Sequence, residues 1–184
     1  MRKIVLAGLL VMLAALAVVV HTLLPRYVER SLNGMIEHRP YAIDAETEAL
    51  HRSLFVADLH TDSLLWKRDL ATRSDYGHVD LPRLQAGNVA LQVFSATTKS
   101  PSGQNYASNS GDSDNITALA VLQLWPPRTW RSLYERAAYQ LERLKRLAHR
   151  SGGRLLLVRS REDIAELARR RAAGEPVTGA VYLI

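Results

Sequence analysis

Near its amino terminus the chain carries a run, Ile4 to Leu24, that is apolar apart from His21 and Thr22. A single segment of that length can cross the ~30 Å hydrocarbon core of a bilayer only as a helix, which satisfies its own backbone. Signal peptides have a shorter apolar region followed by small residues at a cleavage site. Ala15-Leu16-Ala17 has that character, yet Val18, Val19 and Val20 carry the apolar run beyond it. The preferred reading is an uncleaved anchor over residues 1–25, with a cleaved signal and secretion as the alternative. Arg2 and Lys3 before the span are nearly balanced by Arg26 and Arg30 after it. A single pass through the cytoplasmic membrane, with the remainder exported, is the expected topology.

The other 160 or so residues are enough for one core of ordinary size. The absence of cysteine excludes disulfides and thiolate zinc sites, so His and carboxylate are the strong metal ligands available. A net charge of +6 raises the question of nucleic acid. Between Arg128 and Arg171, however, stand thirteen Lys or Arg against five acids, which leaves the rest slightly acidic. Those cations mostly fall on solvent faces of predicted helices and lack an aromatic stacking pattern, so a solvated surface is expected, with an anionic-lipid contact as the alternative and no nucleic-acid partner.

Element types alternate after the span. Residues 26–52 read as a juxtamembrane helix or linker, interrupted near Pro40, and residues 53–184 as the folded domain. Leu54 to Leu59 reads as a buried strand, and Asn88 to Ala96, after Gly87, as a second. Thr97 to Asn115 is a polar loop of unusual length, a kind that is functional or disordered. Asp114 or Asn115 can cap a helix through Leu124, stopped by Pro126 and Pro127. Trp130, Leu133, Tyr134, Ala137, Ala138, Leu141, Leu144 and Ala148 form one apolar stripe at helical spacing. Gly152-Gly153 ends that helix, and "RLLLV" follows as a short strand. Ser160 caps a further helix to about Ala173, and "VTGAVYLI" is the final strand. Strands separated by helices predict a mainly parallel α/β fold.

The chemistry concentrates in "VADLHTDSLLW", from Val56 to Trp66. Asp58, His60 and Asp62 occupy alternate positions, so a regular strand would point all three to one side. Burying two carboxylates and an imidazole together is costly without a cation, which makes a metal the first candidate. His60 and Asp62, in H-x-D spacing at the end of a strand, can grip one divalent ion from the same side. A His hydrogen-bonded to a neighbouring carboxylate gives the same spacing. A second H-x-D, His78 and Asp80, lies between Gly77 and Pro82 with no apolar run before it. It reads as a surface turn with Asp80 as a helix cap.

"ADLHTDSLLW" followed by "GHVDLPRLQAGNVALQVFSA" resembles the amino-terminal part of the membrane dipeptidase family, the M19 metallopeptidases. "LLLVRSREDIAEL" and "GEPVTGAVYLI" extend the resemblance more loosely, over about Leu54 to Ile184. It implies the amino-terminal portion of a (β/α)8 TIM-like metallohydrolase barrel holding two zinc ions bridged by a glutamate. It also implies that His60 and Asp62 bind one of those ions, with Thr61 where the family often has Asn. Asp58 is then at most an orienting neighbour of the ligands, and a plain hydrogen-bond acceptor otherwise. The implied reaction is hydrolysis of a dipeptide, with the 97–115 loop placed to cover the pocket. The implied partners are a dipeptide substrate and membrane lipid around the anchor, and homo-oligomerisation stays open.

In that family the bridging glutamate follows the strand resembling "GAVYLI", and the second-zinc histidines come later still. None of His21, His38, His51, His78 or His149 stands in a matching position. The expectation is therefore an inactive amino-terminal fragment, with Glu encoded just beyond Ile184. Two other readings stay open: a non-catalytic membrane-anchored binding protein, and a different barrel hydrolase dependent on a metal.

Overall fold

The computed structural model describes residues 2–36 and 38–184. The helix α1 (Arg2–Val18), a π-helical turn (Val19–Leu23) and α2 (Leu24–Leu32) run on as one helix. It is long and apolar enough to cross a membrane. Pro25 has no N–H to donate, and the helix widens into the π turn just before it. The end of this helix is docked rather than free. Pro25 and Glu29 are buried, His21 Nδ1 donates to the Leu122 carbonyl at 3.0 Å, and Gly77 N–H donates to the Asn33 carbonyl at 2.8 Å. The expected linker over 26–52 is thus two separate parts. Residues through Leu32 belong to the docked helix, and α3 (Ala45–Ser53), capped by Asp44, comes after a non-helical stretch that holds Pro40.

The domain then runs β1 (Val56–Thr61), α4 (Leu81–Ala86), β2 (Val89–Ser95), α5 (Asn115–Leu122), α6 (Leu133–Arg150), β3 (Leu155–Leu157), α7 (Arg161–Ala172) and β4 (Thr178–Leu183). The strands form one sheet in the order β1-β2-β4-β3, and each pair is parallel. The expected caps at Asp80, Asp114 and Ser160 each accept a backbone N–H from the first turn of α4, α5 and α7. Asp80 is 1% exposed, however, so the turn keeps His78 at the surface and tucks its cap residue under the domain.

Both faces of the sheet carry helices. Leu84 of α4 with Leu144 and Leu147 of α6 packs into one core with Phe94, Leu155 and Ala180. On the other face Gly179 lies so close to Leu167 of α7 and Leu91 that a Cβ would stand 2.5 and 2.9 Å from them. The reason is topological. The path from β2 to β3 crosses the sheet one way and the path from β3 to β4 crosses back, so right-handed crossovers put α6 and α7 on opposite sides. In a closed (β/α)8 barrel successive strands are neighbours and the helices lie outside. The described residues form an open parallel sheet instead, and no barrel is seen in them.

Two further expectations need correcting. The first strand is not buried on both faces. As the edge strand it leaves Leu59 70% exposed, and Phe55 just before it is 50% exposed. The stripe on the long helix is also rotated: Leu133 and Tyr134 are exposed, while Arg136 and Gln140 are buried with Ala137, Leu144 and Leu147. These two polar side chains fasten the base of the long loop. Gln140 exchanges hydrogen bonds with both main-chain groups of Thr97. Arg136 uses all its N–H groups, on Thr98, Thr129 and Trp130 carbonyls, the Asp114 carboxylate and the Thr117 hydroxyl. The tip, by contrast, is in solvent, with Tyr106 fully exposed.

Candidate metal site at the end of the first strand

A local irregularity in β1 sets the geometry. Asp58 pairs with Gln92 and Thr61 with Phe94, three residues on one strand against two on the other. Gln92 and Phe94 share a face, so Asp58 and Thr61 also share it, which regular alternation forbids. The extra residue turns His60 the other way. The Asp58 carboxylate holds this bulge by accepting the His60 backbone N–H at 3.1 Å. Asp58, His60 and Asp62 therefore do not line one face, as strict period-two reading of the sequence predicts. Asp58 meets the main chain of His60, and the imidazole meets Ser95.

His60 and Asp62 do come together. His60 Nε2 and Asp62 Oδ2 stand 3.5 Å apart, with the two side chains 65% and 49% exposed. They are not buried, because β1 is an edge strand and Asp62 lies just past its end, before a short 3-10 turn (Ser63–Leu65). Each is held from behind. The Ser95 hydroxyl, at the end of β2, lies 3.1 Å from His60 Nδ1. The Thr97 hydroxyl donates to Asp62 Oδ1 at 2.9 Å, and Thr97 is itself anchored by Gln140. With Nδ1 engaged by the serine and Oδ1 by the threonine, Nε2 and Oδ2 are the atoms left for a ligand.

Would a zinc ion fit this pair? Donors about 2.1 Å from a tetrahedral zinc lie about 3.4 Å from one another. The 3.5 Å separation matches two corners of such a site. Ser95 and Thr97 supply the orienting hydrogen bonds that ligating His and carboxylate groups characteristically receive. Among the described residues, however, no group of three or more His, Cys, Asp and Glu side chains is gathered as a metal site. The pair fits half of a zinc shell.

His78 and Asp80 are not a second example of the site. Asp80 accepts the Arg83 and Ser74 backbone N–H groups and pairs with the Arg83 guanidinium. It is spent on holding α4.

The residues that sequence reading misses are Ser95 and Thr97. Their partners are 35 residues away in each case, and only the parallel register of β1 on β2 brings them beside His60 and Asp62. Comparison of the chain with family models, curated proteins and solved structures finds no match in any of the three.

Proposed function

We propose that the chain is the membrane-anchored, zinc-binding region of a metallodipeptidase, with His60 and Asp62 supplying two ligands of one zinc. The observation that carries this reading is the pairing of His60 Nε2 and Asp62 Oδ2 at 3.5 Å, at the carboxyl end of a parallel strand. Side chains at that end of a parallel sheet are where α/β enzymes assemble their sites. Zinc, when bound, would activate a water molecule and polarise the scissile carbonyl. The chain's own part is to present Nε2 and Oδ2 at a fixed separation, through Ser95 and Thr97. Two protein ligands are fewer than the three or four that tight zinc sites use, so this pair by itself holds zinc weakly. The barrel that goes with the reading has the parallel strands in its favour and the order β1-β2-β4-β3 against it.

The proposed arrangement places Arg2 and Lys3 on the cytoplasmic side and the domain outside. A topology reporter fused after Leu50 then reports export, and a cytoplasmic signal reverses the arrangement. For the activity, membranes from cells expressing the gene are assayed on a dipeptide panel with zinc and with a chelator. The expected result is zinc-dependent hydrolysis that falls at least a hundredfold in His60→Ala/Asp62→Ala and survives His78→Ala. Hydrolysis indifferent to the double substitution refutes the assignment. The small ligand count favours a second reading, a non-catalytic membrane-anchored binding protein. Its signature is zinc binding by the same pair with no turnover of any dipeptide.

A further inference from the structure

Where the helix docks on the domain, positive charge outruns negative charge. A cavity of about 460 Å³ there is lined by Lys67, Arg68, Arg143, Arg146 and Arg150, with Asp69 the one acid among its lining residues. Asp69 is occupied by Arg150, at 2.9 Å. The Arg68 side chain is only 6% exposed, and its Nε binds Glu29 at 2.7 Å. Its Nη1 is buried and has no hydrogen-bond partner among the described residues. Arg143 is partly buried, donates to the carbonyls of Leu64 (2.6 Å) and Trp66, and has no carboxylate within ion-pair distance among those residues. Burial, and then the neighbouring Arg146, act to lower its pKa.

Among the described residues, Glu29 is thus the one carboxylate in contact with the Arg68 guanidinium, and none contacts that of Arg143. A buried donor without a partner is costly, and more so when charged. An uncompensated cation next to it compounds the cost. Such an arrangement is stable when an anion completes it.

We propose that this cavity binds a phosphate group, with Arg68 Nη1, Arg143, Lys67 and Arg146 as its donors. Guanidinium forks suit a phosphoryl group, which can accept several charge-assisted hydrogen bonds at once. Leu64, Leu70 and Leu147 form the buried floor of the same cavity. The position favours a lipid as its source. A second cavity, of about 1010 Å³, shares Lys67, Arg68 and Asp69 and reaches Thr22, Leu23 and Arg26 at the end of the apolar span. That is the depth at which phospholipid headgroups lie, and cationic pockets beside a span select anionic ones.

The test uses the full chain in a neutral detergent, titrated calorimetrically at constant ionic strength. The probes are inorganic phosphate and dihexanoyl phosphatidylglycerol below its micellar concentration. Lys67→Gln/Arg146→Gln is the informative variant, because both side chains are exposed and the fold does not depend on them. Arg68→Lys, which keeps the charge and loses the fork, is the second. Saturable binding of either probe, weakened at least tenfold in the double variant, supports the site. Phosphatidylglycerol binding the tighter assigns a lipid headgroup, and phosphate binding the tighter assigns a soluble phosphate. Absence of binding to both probes, or binding unchanged in both variants, overturns the proposal. Zinc plays no part in the readout, so this outcome is independent of the dipeptidase reading.

Discussion

Two polar clusters, at opposite extremes of burial, show how differently one chain can use charge. At the end of β1, His60 and Asp62 stand in solvent, two residues apart in sequence, each held by one hydroxyl. At the helix junction, Glu29, Arg68 and Arg143 come from three distant segments and are withdrawn from water, Glu29 to 2% exposure. Removing an exposed pair costs a fold little, whereas removing one member of a buried pair leaves its partner stranded. The first cluster can therefore be spent on a ligand, and the second is part of what holds the helix to the domain.

The largest effect predicted from this contrast is at Glu29. Glu29→Gln keeps an acceptor for Arg68 Nε and removes the charge paired with its guanidinium. A loss of about 4 kcal/mol is expected, in line with broken buried ion pairs. It is read as a lowered urea midpoint of the detergent-solubilised chain. An unchanged midpoint would show that the docked helix contributes nothing to the fold.

Arg136 should rank next. Its guanidinium is as buried as that of Arg68, and every donor is used. Arg136→Met frees the carbonyls and Asp114 toward a partly solvated loop base, so the expected loss is smaller, about 3 kcal/mol. Protease should then cut within residues 97–114 at concentrations that spare the wild type. Resistance equal to wild type would mean that Gln140 alone fixes the loop.

A smaller effect follows from acid. Burial acts to raise the pKa of Asp114, but the hydrogen bonds from Arg136 and Thr117 outweigh it and leave the pKa below the ordinary value. A carboxyl depressed in the folded state adds stability that is complete above its unfolded pKa, about 4. That stability is lost as pH falls through the lower folded-state pKa. The urea midpoint of the wild type should drop as pH falls below about 4, and Asp114→Asn should lack that component. Parallel curves for the two proteins would count against the clamp.

What was legible in the sequence follows the same contrast. Local signals were read well: Gly152 and Gly153 do adopt positive φ at the end of α6, and Ser160 with Asp163 makes a full capping box. The apolar run is a helix long enough for a membrane. Signals that depend on what lies opposite were misread. The bulge that turns His60 from Asp58 is set by pairing with β2, not by alternation in "VADLHT". Arg136 and Gln140 looked like the solvent side of an amphipathic helix because their partners lie in a loop about 20 to 40 residues earlier. The order β1-β2-β4-β3 was equally out of reach, since no local property of "RLLLV" marks it as an outer strand.

At the small end of the scale, His60→Ala/Asp62→Ala should change the stability read from urea unfolding by no more than about 0.5 kcal/mol, because both side chains are exposed. The same double variant tests the central claim most directly when zinc is titrated into the solubilised chain and binding heat is recorded. The account predicts weak, saturable binding to the wild type and to His78→Ala, and none to the double variant. Zinc bound equally by all three proteins, or by none of them, would contradict it.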